Sequence, residues 1–171
     1  PPAPSRKGRG NGSARQTGLF PPEAGGILSP GDQMSAADYG YFDHDADIGV
    51  TARGATVEQA FEAAARAMFA VMETPRGAGA EQRVAFEFQE TDVELALVEW
   101  LNRLLGEARR HGLILRRFRL RRDGARWLGE AWGEPWQEGA DRGVEVKGAT
   151  LTMLSVRQTD GGWEARCVVD V

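Results

Sequence analysis

Apolar residues recur at two different periods along this chain, and the points where the period changes mark its expected elements. The segment YGYFDHDADIGVTARG, from Tyr39 to Gly54, reads as an extended opening with a polar insert, followed by a short strand through Ile48, Val50 and Ala52. Thr56 and Gln59 have the spacing of a capping box. Ala60, Phe61, Ala64, Ala65, Met68, Phe69 and Met72 then fall on one helical stripe, which Pro75 and Gly77 end. Val84, Phe86 and Phe88 alternate with polar residues, the period of a half-buried strand. Thr91 and Glu94 repeat the capping-box spacing ahead of a second helix. Leu97, Val98, Leu101, Leu104 and Leu105 supply its buried stripe, with His111 and Gly112 near its end. LILRRFRLRR, a turn at Asp123 and Gly124, and RWLGEAWG together predict a hairpin. Two more strands are expected, one across VEVKGATLTMLSVRQ. The other carries Trp163, Ala165, Cys167 and Val169 after a turn at Asp160, Gly161 and Gly162. Helices between strands, with hairpins dominating the second half, predict an α+β fold. The expected form is a two-layer sandwich, a mostly antiparallel or mixed β-sheet packed with two main helices.

The pattern stops short of the N-terminus. Residues 1–38 are rich in Pro, Gly, Ser and Arg and have almost no apolar periodicity, so they are expected to be a disordered, low-complexity extension. A basic interaction arm is the competing reading. Residues 39–171 are expected to form one domain, since 171 residues allow one sizeable core. With 42% hydrophobic and 27% charged residues, composition excludes a wholly disordered chain. The net charge of -4 argues against a protein that coats nucleic acid, so any RNA contact has to be local. Cys167 is the single cysteine, which excludes an intramolecular disulfide and a thiolate zinc site and fits a reducing, cytoplasmic setting. No apolar run approaches the roughly 18 residues needed to cross a bilayer, and the N-terminus lacks the apolar stretch of a signal peptide.

Candidate chemistry is concentrated in four places. If DHDADIG is extended, Asp43, Asp45 and Asp47 share a side, and a hard cation such as calcium or magnesium would relieve their repulsion. Hydrated aspartates capping a turn are the alternative. At the other end, Asp170 sits beside the carboxyl group of Val171, on an alternating run that implies a strand held in the sheet. Lys147 lies within a strand-like segment, where it either reaches a phosphate or carboxylate of a partner or discourages edge pairing. Arg116, Arg117, Arg119, Arg121, Arg122 and Arg126 make a basic hairpin, read either as an RNA or acidic-protein contact or as a solvated strand face. Trp127, Trp132 and Trp136 are expected to pack rather than to stack on bases. No glycine-rich phosphate loop is present, and His44 and His111 are too few for a histidine-rich metal centre. Cys167, on an alternating strand, is expected to be a buried apolar residue rather than a nucleophile.

In their order and spacing, DHDADIG at 43–49, TVEQAFEAAARAMFAVM at 56–72, LVEWLNRLL at 97–105, VKGAT at 146–150 and the terminal VVDV resemble the archease family. The resemblance spans Tyr39 to Val171. It implies a metal site made by Asp47 of the ADIG motif, the penultimate Asp170 and the last residue, Val171, with calcium the usual ion and Asp43, His44 and Asp45 as accessory positions. It also implies that Lys147 serves to activate a partner, an RtcB-type RNA ligase, in tRNA processing and splicing. The chain would then be an accessory protein, not an enzyme, that promotes guanylylation and repeated turnover of that ligase. Asp45 departs from the family, which often has Thr at that position. A chaperone-like modulator of nucleic-acid-processing proteins, acting without a metal-dependent step, is the alternative.

Overall fold

A computed structural model describes residues 38–72, 79–137 and 143–171. The expected N-terminal extension lies outside the described residues except for Asp38, as do Pro75 and Gly77. Asp38 is buried, accepts a hydrogen bond from the Arg53 amide at 2.7 Å and pairs with Arg66, so it leads directly into the fold.

Strand β1 (Tyr39–His44) turns at Asp45 and Ala46 into β2 (Asp47–Gly54), and the two pair antiparallel with Tyr39 opposite Ala52 and His44 opposite Asp47. Helix α1 (Val57–Val71) starts where the sequence predicts: Thr56 accepts from the Gln59 amide at 3.2 Å, while Gln59 Oε1 accepts from the amide of Ala55 at 3.1 Å. Ala60, Ala63, Ala64, Ala65 and Ala67 are all buried, because α1 touches strands of both sheets described below. A run of alanines allows that close approach on several sides at once. Helix α2 (Val93–His111) is capped by Asp92 rather than by the expected Thr91; Asp92 Oδ1 accepts from the amides of Glu94 and Leu95 at 2.8 and 3.1 Å. Asp is the stronger cap, since its charge also complements the positive end of the helix dipole. Glu94 is thereby released to accept from the Val156 amide. Gly112, at φ +62°, closes α2 in the left-handed conformation.

The remaining elements are β3 (Gln82–Gln89), β4 (Leu113–Asp123), β5 (Arg126–Pro135), β6 (Gly148–Ala149), β7 (Ser155–Thr159) and β8 (Gly162–Asp170). The expected α+β sandwich with antiparallel strands and two main helices holds, and its strands divide into two sheets, both antiparallel. One has the order β3-β5-β4. The other has the order β1-β2-β8, with β6 and β7 sharing the far edge of β8. The expected strand across residues 144–158 is also corrected. Only Gly148–Ala149 and Ser155–Thr159 pair, and a turn at Leu151–Met153, with Met153 at φ +51°, divides them. Two short strands, rather than one long one, therefore pair with β8 on this side.

The core lies between the sheets around α1 and α2. Trp100 is fully buried, donates its indole N–H to the Phe61 carbonyl at 2.9 Å and lies 5.6 Å from the Phe86 ring, so it joins α2, α1 and β3 at one point. Among the described residues no helix is long and apolar enough to cross a membrane.

Candidate functional site at the start of β2 and the end of β8

Strand β8 is the spine of the larger sheet, and its register decides which residues meet. Ile48 pairs with Val169, Gly49 with Val168 and Val50 with Cys167. Ile48, Val50, Cys167 and Val169 turn to the core. Continuing the register outward by one residue sets Asp47, the first residue of β2, across from Asp170, the last of β8, and both point away from the core. Directly opposed side chains in such a pair are about 5 Å apart at Cβ. On the other side, Asp170 pairs with Gly148, and its carbonyl accepts from the Lys147 amide at 2.8 Å. The Lys147 ammonium lies 3.0 Å from the Val171 oxygen and 3.8 Å from Asp170 Oδ1. Residues from positions 47, 147, 170 and 171 are thus gathered at one edge of one sheet.

Of the accessory positions, only His44 joins the row. It pairs with Asp47 across β1 and β2, and its Nδ1 is buried with no hydrogen-bond partner. The extended run that would have aligned Asp43, Asp45 and Asp47 is broken by the turn: Asp45 occupies it at φ +48°, and Asp43 pairs with core-facing Ile48, on the face opposite Asp47. Gly49 of the same motif is required sterically, because the Phe42 ring lies where a Cβ would stand, and Arg166 in turn lies over that ring at 3.9 Å.

Helix α2 fixes the lysine segment by contacts the sequence reading missed. Asn102 donates to the Ala149 carbonyl at 3.0 Å and accepts from the Ala149 amide at 2.9 Å. Arg109, seven residues later on the same helix face, donates to the carbonyls of Val146 at 2.8 Å and Lys147 at 3.1 Å. Two polar residues two turns apart, beside the apolar stripe, were the available signal. Asn102→Ala is expected to cost about 1–3 kcal/mol, because it orphans both main-chain groups of partly buried Ala149; urea unfolding measures it.

Among the described residues no three His, Cys, Asp or Glu side chains converge to hold a metal by themselves. A cation at this edge would therefore draw on two aspartates and the Val171 oxygen, and those groups suit it. They are all oxygen donors, they carry like charge side by side, and an ammonium is already drawn onto two of them.

The basic hairpin is elsewhere, and two of its arginines, Arg117 and Arg126, are paired with acids. Arg117, Arg119 and Arg121 line the outer face of the three-stranded sheet. Arg117 pairs with Glu81 at 2.7 Å, Arg126 with Glu87 at 2.6 Å, and Arg83 with Glu130. The Arg83 hydrogen bond holds the Glu130 carboxyl below its ordinary range. Arg117 and Arg122 lie over Trp132 and Trp127, at 4.5 and 4.7 Å. Cys167 is fully buried, and burial pushes its thiol up to about 12, which removes it as a nucleophile. A half-open apolar cavity of about 300 Å³ lies between α2 and residues 143–146, lined by Phe69, Leu105, Leu113 and Val144 among others.

Residues 39–171 match the pattern of the Archease protein family (MTH1598/TM1083). The chain belongs to the archease family. Its archease relatives include that of Methanosarcina barkeri, 34% identical over 140 residues that cover 78% of this chain and 95% of the relative. The archease of Sulfolobus acidocaldarius is 36% identical over 137 residues, 77% of this chain and 96% of its own length. The solution structure of Methanobacterium thermoautotrophicum protein 1598 superposes with a TM-score of 0.66 at 35% identity, over 78% of this chain and 99% of that one. A crystal structure of an archease from Thermotoga maritima, described as a possible chaperone, shares the fold with a TM-score of 0.54 at 19% identity, over 76% and 94% of the two chains.

Proposed function

We propose that this archease-family chain is an accessory protein that binds a divalent metal ion, calcium by the character of its donors, and activates an RtcB-type RNA ligase in tRNA processing. Asp47, Asp170 and the Val171 oxygen would hold the ion, which would supply charge neutralisation beside a phosphoryl group. Lys147 adds a compact positive charge next to that site, on a backbone clamped by Asn102 and Arg109. Cations set in fixed positions lower the barrier to nucleotide transfer onto the ligase by stabilising charge as it develops. The ligase performs the transfer, so this chain is not itself the enzyme. The single observation that supports the reading is the register that brings Asp47 to Asp170 while Lys147 reaches Asp170 and Val171.

Contact with RNA through Arg116, Arg117, Arg119, Arg121 and Arg122 is a lesser part of the proposal, because acidic residues share that face. A chaperone-like modulator, the description given to the Thermotoga maritima protein, competes with the main reading. The test is to mix the protein with an RtcB-type ligase and labelled GTP. A higher guanylylated fraction and repeated ligation cycles are expected, and no change in either would remove the proposal.

A further inference from the structure

Nearly every basic residue of this chain is an arginine, and Lys7 and Lys147 are the only lysines. Lys147 is built as a fixed base with a free arm. Its amide donates to the Asp170 carbonyl at 2.8 Å and its carbonyl accepts from Arg109 at 3.1 Å, so its backbone is held on both sides. Its side chain is 64% exposed, and its ammonium rests on the Val171 oxygen at 3.0 Å and near Asp170 Oδ1 at 3.8 Å. These are two of the oxygens that the proposed function assigns to the ion. An ammonium and a divalent cation cannot both occupy short range of the same oxygens without strong repulsion.

We propose that the Lys147 ammonium and a divalent cation compete for the oxygens of Asp170 and Val171, so that cation binding there releases the ammonium and presents it to a phosphate group of the bound partner. The inference rests on the metal-binding reading and adds an order of events to it. A lysine suits this task better than an arginine, because a point charge on a flexible four-carbon stem is released as a unit, whereas a guanidinium fork would hold a carboxylate with two bonds. The pair is exposed, so it guards the site weakly and yields to a divalent ion.

Binding free energies are reciprocal, so removing the lysine has to strengthen cation binding. Calorimetric titration with Ca²⁺ alone, at low ionic strength, compares the full-length wild type with Lys147→Met and Lys147→Arg. Lys147→Met is expected to bind about 1.5- to 5-fold more tightly, the range set by an exposed ion pair, while Lys147→Arg binds no more tightly than wild type. In wild type labelled with ¹³C at lysine Cε, saturating Ca²⁺ is expected to shift the Lys147 signal and leave that of Lys7 in place. Equal or weaker binding by Lys147→Met, or an unmoved Lys147 signal, overturns the exchange while leaving the metal site standing. Absence of Ca²⁺ binding by both wild type and Lys147→Met overturns the exchange and the metal reading together.

Discussion

Asp47→Asn and Asp170→Asn are each expected to weaken Ca²⁺ binding by at least about tenfold and to reduce ligase stimulation to the same extent, with the fold intact. Each substitution keeps the shape and one oxygen but removes a charge. Affinity of oxygen-ligated sites for calcium follows the number of charged ligands, and even outer-shell changes at metal sites cost roughly 10- to 100-fold. Stability is expected to move the other way or not at all. Both side chains are partly exposed, and like charges directly opposite across two strands repel. Neutralising either one therefore leaves unfolding within about 0.5 kcal/mol of wild type, or slightly higher. Calorimetric Ca²⁺ titration and urea unfolding, measured on the same protein samples, separate the two effects. Wild-type Ca²⁺ affinity in both variants would contradict the site, whereas a large loss of stability would mean that the aspartates are structural.

Trp100→Ala is expected to show the reverse: a collapse of stability by about 3–5 kcal/mol, the range for truncating a buried aromatic residue. Trp100 has no exposed surface, and its removal empties the space between Phe61 and Phe86 and deletes the hydrogen bond that ties its indole to the Phe61 carbonyl at the junction of α1 and α2. Gly129 of β5 lies against the indole, where a Cβ would collide with it, so the sheet is shaped to the ring and cannot readily close over the cavity. Set against a typical domain stability of about 5–15 kcal/mol, such a loss leaves a marginal protein. Urea midpoints with an unchanged slope are the expected readout. A cost below about 1 kcal/mol would show that the two helices are joined elsewhere.

The local signals in the sequence were read well where one interaction decides the outcome. Thr56 caps α1, a turn at Gly124 and Ala125, one residue later than expected, joins β4 to β5, and Ala165, Cys167 and Val169 alternate into the core. Errors arose where two local signals competed. At the start of α2, Thr91 offered a capping box, but Asp92 makes the bonds, because a carboxylate one residue later reaches two amides. Between residues 144 and 158 alternation continued through a turn, since period alone carries no sign of where a chain reverses. The two sheets were not separable for the same reason: each strand looks alike until its partner is known. The candidate site depended most on such pairing. Asp47 and Asp170 are 123 positions apart in sequence, and only the β2–β8 register sets them side by side. Local pattern singles out each as a candidate, and family resemblance joins the two into one site. Asn102 and Arg109 escaped notice because on a helix they look like ordinary solvent-facing polar residues until the strand they hold is in place.

Chelation separates metal-dependent activation from a chaperone-like role more directly than any substitution does. Guanylylation of the RtcB-type ligase would be followed with wild-type protein, first in Ca²⁺, then after removing the ion with a calcium-selective chelator, then after restoring it. The account predicts that stimulation disappears with the ion and returns with it, while the ligase's own basal reaction is unchanged. Full stimulation in the chelated sample would contradict it.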